Sequence, residues 1–349
     1  MENIAQLEFV MLLLIGSIFL AIGLSWITIK IAPSVGLMDI PGSAEHKSHL
    51  KPIPLVGGIV LMDTLIVMIL LTGMWNDPGV WAIFVSGLII GVLGILDDIV
   101  HLSVSSKLLG QIFAAIVLIY LGVQVKFFES PEFFIHLASP WDNYFNLGFT
   151  ILWLVTVTNS FNFIDSMDGL AVGLSGLSAG FFLLISLATG QSELIFLCTV
   201  ILGICIALYF FNSRPASLFL GDSGAQSLGF ILASIAIIYD PKIGEQASSW
   251  FVPILIFFIP LFDMALVVFS RVKRGRKIHK ASRDHTYHRL EQLGFPIHHA
   301  VLMMHGASLI LSIVGFLCLN LPALFANFIF ALIILLGIAV YIELDKNYL

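Results

Sequence analysis

The hydrophobic positions of the chain fall into eleven blocks, at about residues 7–29, 56–73, 79–96, 108–124, 146–159, 169–189, 193–211, 224–239, 250–270, 300–319 and 323–342. Each reads as a membrane-spanning helix, for which roughly 20 apolar residues suffice, and the fifth is the shortest. Polar punctuation marks the boundaries: Asn76-Asp77-Pro78-Gly79 precedes the third block, and Asn320-Leu321-Pro322 divides the last two. The first block follows Glu2 and Glu8 without a basic segment and is too long for a signal core, so it is expected to stay as the first span. No internal repeat or low-complexity segment interrupts the series.

Composition sharpens this picture. Of 349 residues, 59% are hydrophobic and only 11% charged, whereas a soluble globule carries about a quarter charged residues. Residues 1–349 are therefore expected to form a single integral-membrane domain, an all-α polytopic bundle of ten or eleven transmembrane helices. Cys198, Cys205 and Cys318 lie inside apolar runs without CxxC spacing and read as small hydrophobes. The net charge of −6 hides an asymmetry: of the 16 Lys and Arg, only Lys126 and Lys242 fall in one set of alternate connections. That bias places the amino terminus outside and the carboxyl terminus in the cytosol. Residues 125–145, rich in Phe, Trp and Tyr, read as an external segment at the headgroup level.

Five carboxylates stand at the cytosolic ends of these spans or just beyond them: Asp97 and Asp98 in GILDDIVHLS, Asp165 and Asp168 in NSFNFIDSMDGLAVG, and Asp222 in FLGDSGAQSLG. A membrane-buried aspartate costs about 2.5 to 3.5 kcal/mol on insertion scales, so acids recurring on one leaflet need a common reason. Clustered carboxylates suit a hard divalent cation, and Mg²⁺ usually takes one or two of them together with substrate phosphate oxygens. Asp97 and Asp98 diverge by about 100° on a helix, so one can ligate while the other orients or takes a proton. Gly221 and Gly224 flank Asp222 and would let backbone approach a ligand closely. Asp222 or Ser223 would cap the eighth span, whose amino terminus would favour a phosphate.

Two basic loops add capacity for anions. HKSHLKPIPLVGGI carries Lys47, His49 and Lys51 ahead of the Gly57-Gly58 pair, and RVKRGRKIHKASRDHTYHRL carries His285 and His288 at i and i+3. Most of the second loop's charges read as topology and headgroup determinants, but these two imidazoles are suited to bridging a diphosphate or carrying a proton. His298, His299 and His305 have no such setting.

Taken together, HLKPIPLVGG, DDIVHLSVSSK, NSFNFIDSMDGLA with FNSRPASLFLGDSGAQSLG, and RDHTYHRL make the chain resemble the polyprenyl-phosphate N-acetylhexosamine-1-phosphate transferases. The resemblance is strongest to the branch that uses UDP-N-acetylglucosamine and undecaprenyl phosphate to start O-antigen and common-antigen chains. It implies a cytosol-facing cleft in a multi-pass protein of the bacterial inner membrane, transfer of a sugar 1-phosphate to a lipid phosphate with release of UMP, and Mg²⁺ or Mn²⁺ as cofactor. The implied partners are the UDP-sugar, the undecaprenyl phosphate and the bilayer, with no nucleic acid and with a homodimer left open. Carried onto this sequence, Asp97, Asp98, Asp165, Asp168, His285 and His288 take catalytic places. Asp98, Asp168 and Asp222 take metal places, and Lys47, His49, Lys107, Asn162, Arg214 and Arg283 substrate-binding ones. The chain departs from the pattern at Leu55 (often Arg), His101 (often a further acid), Ser166 (usually Gly) and Tyr287 (within the usual histidine cluster).

The chemistry so implied is an in-line displacement in which a lipid phosphate oxygen attacks the sugar-bearing phosphorus, with a route through an aspartyl-phosphate as the alternative. Two rivals stand beside it: the same reaction with another UDP-N-acetylhexosamine, and an ion-coupled transporter, for which only Asp63 and Asp263 lie deep enough in their spans.

Overall fold

The computed structural model describes residues 2–41, 51–128, 137–240, 249–277 and 284–346. In chain order these form α1 (Glu2–Val35), β1 (Met38–Asp39), β2 (Ile53–Pro54), α2 (Gly57–Thr72), α3 (Pro78–Val100), α4 (Val104–Tyr120), α5 (Trp141–Ile164), α6 (Leu170–Thr189), α7 (Ser192–Asn212), α8 (Gly221–Ile238), α9 (Val252–Ile256), α10 (Phe258–Lys273), α11 (Thr286–Gln292), α12 (Ile297–Cys318) and α13 (Ala323–Lys346). Eight helices, α1, α3, α5 to α8, α12 and α13, are long and apolar enough to cross a bilayer, and α2 and α4 are shorter apolar helices. The protein is a polytopic all-α membrane protein. Its two strands make one antiparallel pair, Met38 opposite Pro54 and Asp39 opposite Ile53.

Two of the expected spans need correction. The fifth, read as 146–159, is in fact the 24-residue α5. Asp142 and Asn143 at its start and Ser160 and Asn162 near its end hid its full length; within it, the Thr150 hydroxyl donates to the Asn146 carbonyl at 2.7 Å and accepts from the Val125 N–H at 3.0 Å. The ninth, read as 250–270, is broken between α9 and α10 at Phe257. Pro260 explains the break, since it has no N–H to offer the Ile256 carbonyl four residues back and its ring crowds that group.

The hub of the bundle is α8, against which α2, α3, α5 and α6 pack. Every residue from Ser223 to Ile235 is buried, as expected of a helix enclosed on all faces. Glycines on its neighbours set the approach. A Cβ on Gly87 of α3 would stand 2.9 Å from Ile231 Cγ1, one on Gly91 3.3 Å from Ser227 Oγ, and one on Gly94 would overlap the backbone of Ser223. From the α2 side, a Cβ on Gly57 would lie 2.7 Å from Leu220 Cα and one on Gly58 2.6 Å from Gly224 N. Small residues at such seams let helix backbones come close, and here they lock the amino end of α8 between α2 and α3. The strand end and the run into α8 are also zipped together: Phe219 N–H donates to the Pro54 carbonyl at 2.9 Å, and Gly57 N–H to the Phe219 carbonyl at 3.1 Å.

At the other edge, α13 buries only Ala326, Leu344 and Asp345. Its last turn is pinned nonetheless. The Asp345 carboxylate accepts from Ser270 Oγ (2.9 Å), Lys273 Nζ (2.8 Å), Arg274 Nη1 (2.7 Å) and Arg289 Nη1 (3.2 Å). Arg289 also donates to the carbonyls of Asp284 (2.9 Å) and Leu344 (3.3 Å), while Arg271 forks onto the Asp284 carboxylate at 2.7 and 2.8 Å. The three cysteines are buried and unpaired with one another.

Candidate active site

Helix α3 ends at Val100 because His101 takes a left-handed backbone (φ 54°), with its N–H on the Asp97 carbonyl at 2.9 Å. Ser103 then caps α4, its hydroxyl accepting the Ser106 N–H at 3.1 Å. This tight turn brings the last turn of α3 beside the first turns of α4, so that Lys107 reaches back to the acids. Its ammonium donates to Asp222 Oδ2 at 2.7 Å and is also paired with Asp97 Oδ2. Asp97 is 2% exposed, and its other oxygen accepts the Leu102 N–H at 2.7 Å.

Asp98 points elsewhere, as its 100° offset requires. Its two oxygens accept the N–H groups of Asp222 (2.8 Å) and Ser223 (3.2 Å), the second and third residues of α8. The cap of α8 is thus supplied by a carboxylate from another helix, and neither Asp222 nor Ser223 caps it as the sequence suggests. The expectation for Gly221 and Gly224 is corrected as well. A Cβ on Gly221 (φ 69°) would stand 2.7 Å from Asp98 Oδ2, and one on Gly224 2.9 Å from Gly58 N, so both glycines serve packing inside the protein.

Asp222 carries the rest of the cluster. Asn162, on the last turn of α5, donates to its Oδ1 at 2.8 Å. One turn deeper on the same three helices lies an amide layer: Gln111 of α4, Asn159 of α5 and Gln226 of α8. Gln111 Nε2 donates to Gln226 Oε1 at 3.0 Å, and Asn159 Nδ2 to Gln111 Oε1 at 2.7 Å. These buried amides hold one another and so fix the register of the helices that carry Lys107, Asn162 and Asp222.

Asp165 and Asp168 lie in the turn from α5 to α6. Asp168 Oδ2 accepts the Ala216 N–H at 3.3 Å, and the following Gly169, at φ 77°, donates its N–H to Asn212 Oδ1 at 3.0 Å. Asn212 in turn donates to the Leu218 carbonyl at 2.9 Å and so knits this turn to the loop before α8. Asp165 is half-buried. Burial pushes its carboxyl well above the usual range, and the negative charges of Asp222, Asp98 and Asp168 push it further.

The histidines arrive from the far side. Asp263, fully buried in α10, holds His285 Nδ1 with Oδ2 at 2.8 Å and accepts the Thr286 N–H with Oδ1 at 2.6 Å. The His285 ring lies 6.4 Å from that of Phe163 at the end of α5, which places it beside the aspartate turn. His288 packs on Tyr287, with ring centroids 4.2 Å apart. His305 holds the Leu170 carbonyl at 3.2 Å and packs on Gly173, a structural role.

Of the residues put forward from sequence, the structure gathers Asp97, Asp98, Lys107, Asn162, Asp165, Asp168 and Asp222 around the amino end of α8, with His285 and His288 on the adjoining segment. Arg214 stands exposed, with no bonding partner among the described residues. Lys47, His49 and Arg283 lie outside the described residues. Among the described residues, no three acid, imidazole or thiol side chains converge as a ready metal-ligand set. The chemistry of the set still suits a hard cation: Asp165 lies within the negative field of Asp222, Asp98 and Asp168, with one lysine against them. Sequence reasoning missed Asp263 as a partner of His285. An acid inside an apolar run was the available signal, but nothing local named its partner.

The family model for glycosyl transferase family 4 matches residues 80–240, which contain all five acids. The chain is 31% identical over 284 residues to the probable undecaprenyl-phosphate N-acetylglucosaminyl 1-phosphate transferase of Bacillus subtilis (strain 168), covering 81% of this chain and 78% of that protein. It is 26% identical over 287 residues to the decaprenyl-phosphate N-acetylglucosaminephosphotransferase of Mycobacterium leprae (strain TN), covering 75% and 72%. It is 29% identical over 253 residues to the phospho-N-acetylmuramoyl-pentapeptide-transferase of Enterococcus faecalis (strain ATCC 700802 / V583), covering 69% and 76%.

Proposed function

The chain belongs to the polyprenyl-phosphate N-acetylhexosamine-1-phosphate transferase family, and from that premise we propose that it transfers N-acetylglucosamine 1-phosphate from UDP-N-acetylglucosamine to undecaprenyl phosphate, releasing UMP. The observation that carries this reading is Lys107 held between Asp97 and Asp222, where four helices deliver acids, a cation and an amide to one point at the end of the bundle. We place that point on the cytosolic side of the inner membrane, following the positive-inside count. The pathway served would be O-antigen or a related cell-envelope polysaccharide.

Asp222, Asp168 and Asp98 are the residues that would hold Mg²⁺ (or Mn²⁺). Asp98 keeps a second lone pair on each oxygen beyond its two N–H bonds. When bound, the metal supplies positive charge to the donor diphosphate and to the departing UMP. The protein's own groups do the rest. Lys107 stands between Asp97 and Asp222 and offsets the repulsion of their charges. Asp97 takes whatever proton remains on the lipid phosphate, a small task because that group's second pKa is near 6. Asp263 fixes His285 through Nδ1 and leaves Nε2 available for a substrate phosphate oxygen. Asn162 orients Asp222. The enclosing helices bring both substrates to one depth, which converts an encounter of two anions into a reaction between neighbours.

The test is purified protein in detergent with undecaprenyl phosphate, Mg²⁺ and a panel of UDP-sugars, following UMP and lipid-linked product. UMP release with UDP-N-acetylglucosamine above all other donors supports the reading. A better donor among the other UDP-N-acetylhexosamines overturns the sugar assignment, and no lipid-dependent UMP from any donor overturns the reaction.

A further inference from the structure

We propose that Ser166 and Tyr287 form a latch that seats the histidine segment on the aspartate turn, making Tyr287 a positioning residue for both imidazoles. The Tyr287 hydroxyl donates to Ser166 Oγ at 2.7 Å. Ser166 stands between Asp165 and Asp168, and Tyr287 between His285 and His288, so this hydrogen bond joins the turn that carries two of the acids to the first turn of α11 beside the imidazoles. The Tyr287 ring is 1% exposed. It lies nearly parallel to His285, at 9° with centroids 5.6 Å apart, and against His288 at 4.2 Å. That ring is the packing partner common to both imidazoles.

The segment is therefore gripped from two sides. From α10, Asp263 holds His285 and the Thr286 amide; from the α5–α6 turn, Ser166 holds Tyr287. The two latch residues are also two of the places where the chain departs from the family pattern, and they prove to be each other's partner. A glycine at 166 would offer the Tyr287 hydroxyl no side-chain acceptor. This inference rests on the proposed transfer reaction for its effect on rate, though not for the existence of the bond.

The test is a double-mutant cycle of Tyr287→Phe, which keeps the ring and removes the hydroxyl, and Ser166→Ala, read by UMP release and by thermal unfolding of the purified protein. Each single variant is expected to lower kcat about tenfold, with KM for the UDP-sugar within about twofold, because misplaced groups slow the chemical step more than ground-state binding. The double variant is expected to be no slower than either single one, and its unfolding shift to be less than the sum of the two. Tyr287→His should be slow alone and recover when combined with Ser166→Gly. A Tyr287→Phe kcat within about twofold of wild type, or losses that simply add, would overturn the latch. If wild type itself releases no UMP from any donor, the transfer reading has failed, and the latch is judged by unfolding alone: non-additive shifts support it and additive ones overturn it.

Discussion

Asp98 of α3 accepts the backbone N–H of Asp222 at 2.8 Å, so the carboxylate that ends one helix begins another. An anion at a helix amino terminus is favoured by both the unpaired amides and the helix dipole. Asp98→Asn keeps an oxygen for one of the two amides and loses the charge. Unfolding should therefore be easier by about 1 kcal/mol, while UMP release should fall at least about a hundredfold. Parallel melting and turnover measurements check this, and near-normal turnover would remove Asp98 from the active set.

Lys107 balances Asp97 and Asp222. Lys107→Met leaves two carboxylates facing each other without a cation, which raises the site's demand for a metal. Turnover is expected to fall about a hundredfold while the Mg²⁺ concentration for half-maximal rate decreases. A Mg²⁺ titration of the variant separates these effects; an unchanged half-maximal concentration would mean that Lys107 does not share the metal's field.

Asp165 has its folded-state pKa raised, by burial first and by Asp222, Asp98 and Asp168 next. For a raised acid, the associated stability is fully present below the unfolded value of about 3.9 and is lost as pH rises through the folded value. Metal-free protein should accordingly melt lower as pH rises from about 5 to 8, and added Mg²⁺ should stabilise it more at the upper end, because binding expels the proton. Asp165→Asn should flatten both trends. Melting curves with Mg²⁺ and with chelator settle the point.

Asp263 never needs to touch substrate to matter. Its two oxygens fix the His285 ring and the Thr286 amide. Asp263→Asn preserves size, yet its amide nitrogen is a donor where the ring N–H needs an acceptor. Orienting partners of this kind are worth about 10- to 100-fold. The expected result is a loss of that size in kcat, read by UMP release, with the protein still folded.

Gly94 has no room for a methyl group, since its Cβ would overlap the Ser223 backbone. Gly94→Ala should destabilise by about 1 to 3 kcal/mol as α3 and α8 are forced apart. It should also lower turnover beyond what unfolding explains, because Asp98 loses its reach. Activity per folded molecule, measured well below the melting midpoint, tests the second half of that expectation.

The spans and the acids were legible in the sequence because both signals are local: runs of apolar residues, and carboxylates where those runs end. What could not be read there is pairing. Gly57, Gly58, Gly221 and Gly224 look alike whether they admit a ligand or a neighbouring helix, and only the fold shows Leu220, Gly58 and Asp98 occupying the space. Polar residues at both ends of α5 shortened it on paper, Asp142 and Asn143 at the start and Ser160 and Asn162 near the finish, although the helix runs through them. Asp263 and His285 lie on different elements, and no periodicity links them.

The knot around Asp345 has a consequence for the order in which the protein is made. The segment bearing His285 and His288 is tied by Arg289 to the final turn of α13, the last helix in chain order among the described residues. During synthesis, the acids of α3, α5 and α8 can assemble long before that helix exists. The anchor that Arg289 gives the histidine segment can form only once Leu344 and Asp345 have been made, later in the chain than every acid of α3, α5 and α8.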